Sequence, residues 1–136
     1  MKFEIVNPAA LGAPKGWNNG LLAPAGGRLL FVAGQAGWET GAAGRPPGFV
    51  EQFARALDKV LAVVREAGGS PEDVARVTIY TTDLAAYRVS LKPLGEAWRE
   101  RLGKHYPAVA MVEVKGLVDE GAVVEIEATA VIGGTR

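Results

Sequence analysis

Residues 49–83, FVEQFARALDKVLAVVREAGGSPEDVARVTIYTTD, carry the strongest structural signal in the chain. Gly68-Gly69 predicts the end of a helix that begins near Phe49, and Ser70-Pro71 predicts a capped turn after it. Residues 74–82 alternate and are rich in β-branched side chains, which predicts a strand. Hydrophobic residues at spacings of three and four form one face of the helix: Phe49, Phe53, Leu57, Val60, Leu61 and Val64.

The flanking sequence predicts a mixed fold with one domain over residues 1–136. Before the helix we expect strands at 2–6, 20–23 and 28–33, the last stopped by Gly34, followed by a glycine-rich loop. After it we expect a turn capped by Asp83, a helix over 93–102, and strands over 108–115 and 122–132 joined by a turn at 119–121. The order β-β-β-α-β-α-β-β predicts the α+β class, with two helices packed on one face of a sheet.

The composition excludes several classes of function. The 136 residues include 15 basic and 15 acidic side chains, and this zero formal charge argues against nucleic acid as a partner. With no cysteine and a single histidine, His105, the chain offers no thiol nucleophile and no thiolate or histidine-rich metal site. We expect no metal and no cofactor. Because no apolar run has the length of a membrane span or signal peptide, we expect no membrane partner and a cytoplasmic location.

Two segments near the C-terminus resemble the signature of the Rid (YjgF-like) family: residues 106–114, YPAVAMVEV, and residues 124–128, VEIEA. Three upstream segments match the same family in order and spacing: AGQ at 33–35, EAGG at 66–69 and VTIYTTDL at 77–84. The resemblance extends over most of the chain, from about residue 17 to residue 132.

The resemblance implies a chorismate-mutase-like α+β subunit that assembles as a homotrimer. In that arrangement the three sheets close around a central barrel, the helices face outward, and three small-molecule clefts lie between neighbouring subunits. A sheet covered by helices on one face only would leave its other face apolar, and trimerisation would bury that face.

The resemblance also identifies cleft residues, several of which depart from the family pattern. In deaminating members an arginine after Pro-Ala holds the substrate carboxylate through two hydrogen bonds, and here that position is Val109. Without this anchor, binding of a buried carboxylate would be less favourable by several kcal/mol of free energy, or about a thousandfold in affinity. Ala33 replaces a hydroxyl residue, Trp17 replaces a tyrosine, and Leu91 or Lys92 stands where the family has an asparagine. Together, we expect the cleft to be lined by Trp17, Ala33, Gly34, Lys92, Val109 and Met111.

Glu125 matches the acidic residue to which the family resemblance assigns water activation. A carboxylate that positions a water molecule can suffice for hydrolysis of an imine, because the substrate is already reactive. The alternative interpretation is that Glu125 and Glu127, two apart on one strand face, pair with basic neighbours. Both interpretations remain open from the sequence.

Three residues are candidates to replace the missing cation: Lys92, Lys115 and His105. For each lysine the alternative is an ordinary solvated side chain, and for His105 it is an incidental loop histidine. Trp38 and Glu39 form either the edge of a lid or a loop that its own tryptophan anchors.

The leading functional hypothesis is a homotrimer that binds a small metabolite and hydrolyses an imine or enamine through Glu125. Its substrate would be less acidic or more apolar than the 2-imino acids of arginine-bearing members. The alternative is a non-catalytic ligand sensor or protein-interaction module on the same scaffold. A ribonuclease or translation inhibitor is a third interpretation, against which the zero charge and the lack of a histidine pair argue.

Overall fold

The computed structural model describes residues 2–133. Its main sheet has four strands in the order β3-β6-β4-β5, and only β4 and β5 run parallel. A separate two-stranded antiparallel sheet joins β1 to β2. The strands are β1 (Glu4–Val6), β2 (Gly20–Leu22), β3 (Arg28–Ala36), β4 (Val74–Thr81), β5 (Ala108–Glu113) and β6 (Val124–Ile132). The helices are α1 (Phe49–Glu66), α2 (Leu84–Val89) and α3 (Leu91–Leu102), with short 3₁₀ turns at Ala9–Leu11 and Pro71–Asp73.

Helix α1 follows the predicted pattern closely. All six of its periodic hydrophobic residues are buried, and α1 packs on β3 and β6 and against α3. The helix ends where Gly68 adopts a φ of 88° and the Gly69 amide donates to the Val64 carbonyl at 2.9 Å. The Ser70 turn has the expected capping box, in which the Ser70 amide donates to Asp73 Oδ2 at 2.8 Å.

The structure corrects several predicted boundaries. β3 does not stop at Gly34 but continues to Ala36, because its pairing with β6 shifts between Val32 and Gln35, as in a β-bulge. α3 begins at Leu91 rather than at residue 93, since Pro93 lies in the first turn, where its missing N–H is not needed. β5 ends at residue 113 and β6 begins at 124, and β4 separates them in the sheet.

The two faces of the main sheet differ in character. On the helix face, Val77, Ile79, Val124 and Ile126 are buried beneath α1 and α3. On the other face, here called the open face, Leu29 and Phe31 expose 64% and 75% of their surface. This asymmetry is the one expected for an α+β domain whose helices cover one side of its sheet. Within residues 2–133, no helix has the length and apolar character needed to cross a bilayer.

Candidate functional site

The loop that carries Trp17 is held against the start of β5 by two asparagines. Asn18 Nδ2 donates to the Tyr106 carbonyl at 2.6 Å, and the Asn18 amide donates to the Pro107 carbonyl at 3.1 Å. Asn7 reinforces the loop, because its Nδ2 donates to Asn18 Oδ1 at 2.8 Å and its Oδ1 accepts from the Asn19 amide at 2.7 Å. These bonds fix an exposed indole beside an edge strand of the sheet.

Trp17 borders a cavity of about 570 Å³ between its loop, the helices and the sheet, here called the helix-side cavity. This volume falls in the range of small-molecule sites. Aromatic side chains form one part of the wall: Trp17, Phe53, Tyr87, Trp98 and Tyr106. Aliphatic side chains and a thioether form another: Ile79, Leu91, Leu94, Val109 and Met111.

Two cations border the helix-side cavity, Lys15 and Arg99, and none of its lining residues is acidic. Within residues 2–133, neither cation forms an ion pair. The guanidinium of Arg99 lies over Gly95, one helical turn earlier, so that a Cβ at position 95 would stand 3.1 Å from Arg99 Nη1. Sequence reasoning missed both residues. The only signal for Arg99 was its position in the sequence. It lies four residues after Gly95 and directly follows Trp98, which is buried.

The structure brings together only some of the predicted cleft residues. Trp17, Val109 and Met111 line the helix-side cavity, whereas Lys92 is exposed on the first turn of α3 and does not line it. Ala33 and Gly34 lie away from this cavity, at the bulge of β3.

Glu125 lies on the open face of the sheet beside Gly34. A Cβ at position 34 would stand 2.6 Å from Glu125 Oε2, so the glycine leaves the space that the carboxylate occupies. Within residues 2–133, Glu125 forms no hydrogen bond and no ion pair. Its neighbour Glu127 accepts a hydrogen bond from the Tyr80 hydroxyl at 3.1 Å, and this bond raises the pKa of Tyr80 above its usual value. Neither Glu125 nor Glu127 forms an ion pair within the described chain, although Arg76 borders the same surface pocket as Glu127.

Val109 and Glu125 face opposite sides of the sheet. Val109 pairs with Val77, which is buried on the helix face, whereas Glu125 pairs with Tyr80 on the open face. Because β4 also separates β5 from β6, one chain does not bring the two side chains into a single cleft. A site that contains both residues requires a second copy of the chain.

His105 has a structural role. Its Nε2 lies 2.6 Å from the Val74 carbonyl, its ring stacks on Phe3 at 6.1 Å, and its own carbonyl accepts from Trp98 Nε1 at 3.2 Å. His105 does not line the helix-side cavity, and Lys115 is exposed beyond the end of β5. Within one chain, neither residue shares the cavity wall with Val109.

Trp38 anchors its own loop. It is buried against Ala36 and Ala122, and the Arg55 guanidinium lies 5.7 Å from its ring centre. Glu39 forms an ion pair with Lys59, and this hydrogen bond lowers the pKa of the Glu39 carboxyl. These contacts support the anchored-loop interpretation over that of a lid.

The chain matches a known family and known structures over most of its length. The family model Endoribonuclease L-PSP matches residues 8–132. A RutC family protein of Pyrococcus abyssi is 33% identical over 105 residues, which cover 76% of this chain and 79% of the relative. A 2-iminobutanoate/2-iminopropanoate deaminase of Capra hircus is 29% identical over 108 residues, covering 78% of this chain and 74% of the relative. The crystal structure of YyfB from Yersinia pestis, a Rid family protein of unknown function, is 26% identical, with a TM-score of 0.80 and coverage of 97% of this chain and 100% of YyfB.

The fold and these matches define an α+β domain of the kind that Rid proteins share. The chain belongs to the Rid (YjgF-like) family, also described as Endoribonuclease L-PSP. The resemblance inferred from residues 17–132 and the α+β fold expected from it are confirmed.

Proposed function

We propose that the protein forms a cytoplasmic homotrimer whose inter-subunit clefts bind a small metabolite, and that Glu125 hydrolyses a C=N bond in that metabolite. The observation that carries the proposal is the Glu125 carboxylate, which has no hydrogen-bond or ion-pair partner within residues 2–133 and occupies the space that Gly34 leaves open. An unpaired carboxylate on a partly exposed strand face is available to orient and deprotonate a water molecule.

The proposed reaction uses one water molecule for each imine. Glu125 accepts a proton as the water oxygen bonds to the imine carbon, and the C=N π electrons move to the nitrogen, which takes up a proton. The hydroxyl of this adduct then gives its proton, by way of Glu125, to the nitrogen. The C–N bond breaks as the oxygen forms a carbonyl, so that ammonia and an aldehyde, ketone or oxo acid leave and Glu125 is again a carboxylate. No oxidant or cofactor enters this balance.

Val109 argues for a substrate different from that of the arginine-bearing members. The Capra hircus relative is named for short 2-imino acids. At the position that the family uses to hold their carboxylate, this chain presents an aliphatic side chain in an apolar wall. The substrate proposed here is therefore more apolar than 2-iminobutanoate.

The test is ammonia release above the spontaneous rate, with the imine of phenylalanine compared with 2-iminobutanoate, both generated enzymatically. Glu125→Gln is expected to reduce the catalysed rate by about 10²–10⁴-fold, the usual contribution of a general base. Glu127→Gln is the matched control, because the Glu127 carboxylate is already engaged by Tyr80. Equal rates for the two variants would contradict the role of Glu125, and faster turnover of 2-iminobutanoate would contradict the changed substrate.

One observation favours a second candidate, a ligand-binding module without turnover. The helix-side cavity and Glu125 lie on opposite faces of the sheet, so a ligand could occupy the cavity without approaching the carboxylate. This candidate predicts ligand-dependent thermal stabilisation that is unchanged in Glu125→Gln, with no ammonia release. A ribonuclease has less support, because the single histidine is bonded to the Val74 carbonyl.

A further inference from the structure

We propose that Arg99, assisted by Lys15, replaces the anchor missing at position 109, and that the helix-side cavity binds monocarboxylic acids with an aromatic or branched apolar group. The inference deepens the proposed function by naming the ligand class. It rests on that function only in the claim that the protein binds a small metabolite, since turnover is not required.

The charges around the helix-side cavity determine which sign of ligand charge it favours. Lys15 and Arg99 are its charged lining residues, and neither has a carboxylate partner within the described chain. Because no acidic group lines the cavity, an anion is attracted by both cations and is repelled by none of the lining residues. Two exposed basic groups beside a largely apolar wall therefore favour an acid over an amine or a neutral ligand.

The geometry of α3 places the Arg99 guanidinium at the cavity. Gly95 lies four residues before Arg99, on the same side of the helix, and both residues line the cavity. Because Gly95 has no side chain, the guanidinium lies close over the helix at this point. A planar guanidinium is well suited to hold a carboxylate through two parallel hydrogen bonds.

The walls of the cavity select the rest of the ligand. Trp17 and Trp98 offer flat apolar surfaces, and Val109 and Met111 supply an aliphatic floor from β5. An aromatic or branched group would bury apolar surface there, at about 25 cal/mol per Å². A short acid would leave much of a cavity of about 570 Å³ to solvent, so we expect short acids to bind weakly.

The experiment measures binding of 3-phenylpropanoate to the full chain by the change in tryptophan fluorescence, because two of the three tryptophans, Trp17 and Trp98, line the cavity. Its neutral isostere 3-phenylpropanamide and the short acid propanoate serve as comparison ligands, and each is expected to bind at least about tenfold more weakly. Arg99→Gln is expected to weaken binding of the acid by about 10- to 100-fold, the usual value of a hydrogen bond to a charged group, while leaving the amide unaffected.

Two further variants keep the proposal testable. Arg88→Gln is the matched control, because Arg88 is an exposed arginine on α2 that does not line the cavity. Gly95→Ala adds a methyl group 3.1 Å from Arg99 Nη1, so it is expected to displace the guanidinium and weaken acid binding several-fold without disrupting the helix.

Equal affinities for acid and amide, or equal effects of Arg99→Gln and Arg88→Gln, would overturn the proposal. Its failure can be told apart from failure of the proposed hydrolysis. Loss of acid selectivity with ammonia release intact refutes this inference alone. Selective acid binding without ammonia release supports it and refutes the hydrolysis.

Discussion

The carboxylate of Glu125 illustrates how a small residue can keep a charged one available. Gly34 stands where any Cβ would collide with Glu125 Oε2, and the bulge in β3 places the glycine there. A carboxylate of purely structural use is normally paired or hydrogen-bonded, as Glu127 is with Tyr80. Glu125 lacks such a partner within the described chain, which supports the role in orienting water that is proposed for it.

A substitution at Val109 tests directly whether a cation at this position would hold a carboxylate. Val109→Arg is expected to increase the affinity for 2-oxobutanoate, a stable analogue of 2-iminobutanoate, by about tenfold or more, because it adds a donor pair within reach of the carboxylate of a short acid. Affinity can be measured by calorimetry. Val109→Met is the control, since it adds length without charge, and an equal gain in both variants would show that the cleft does not use position 109 for charge.

At the scale of elements, Gln52 joins α1 to the two long loops. It exposes only 1% of its surface, and its Nε2 donates to the carbonyls of Pro47 and Gly121 at 3.0 Å each. Its Oε1 accepts from the Val123 amide at 2.8 Å. One buried amide thus satisfies three backbone groups of loops that have few backbone bonds of their own.

We predict that Gln52→Leu lowers the free energy of unfolding by about 3 kcal/mol, because it leaves buried backbone groups unpaired. Urea denaturation followed by circular dichroism measures this change. Glu66→Gln, at an exposed position on the same helix, is expected to change stability by less than about 0.5 kcal/mol. Similar effects of both changes would mean that solvent replaces the Gln52 bonds.

A second contact between the same loops makes their stability depend on pH. The Thr40 amide and hydroxyl donate to Asp119 Oδ1 at 2.9 and 3.0 Å, and these bonds lower the pKa of Asp119. A carboxyl whose pKa falls on folding contributes stability above its unfolded pKa and loses it as the pH falls through the folded value. The Asp119 and Glu39 contacts therefore support the loops at neutral pH and weaken in acid.

At the scale of the whole molecule, the open face of the sheet has the character of an interface. Leu29 and Phe31 stand next to each other on one face of β3, with Val112 exposed across the sheet. Closed homo-oligomers are the usual means of covering such a face. The separation of Val109 and Glu125 onto opposite faces also fits a cleft that two copies complete.

We predict that Phe31→Glu converts the homotrimer proposed here into monomers, because a buried charge without a partner costs several kcal/mol per interface. Light scattering coupled to size exclusion should give the mass of three chains for the unmodified protein and of one for the variant. Val63→Glu, on the outer surface of α1, is the control and is expected to remain trimeric. A monomeric unmodified protein would contradict the assembly and, with it, the shared cleft.

The sequence by itself determined α1, the strand after it and the family, because helical periodicity, caps and β-branched alternation are local signals. The resemblance it carries also pointed to Val109 at the position of the family's arginine and to Glu125 at that of its acidic residue. Only the tertiary structure decided that these two residues face opposite sides of the sheet, since alternation within a strand does not reveal how strands pair. Likewise, Lys15 and Arg99 meet at one cavity because the asparagine-held loop and α3 pack on the same side, a contact between distant segments that no local pattern encodes.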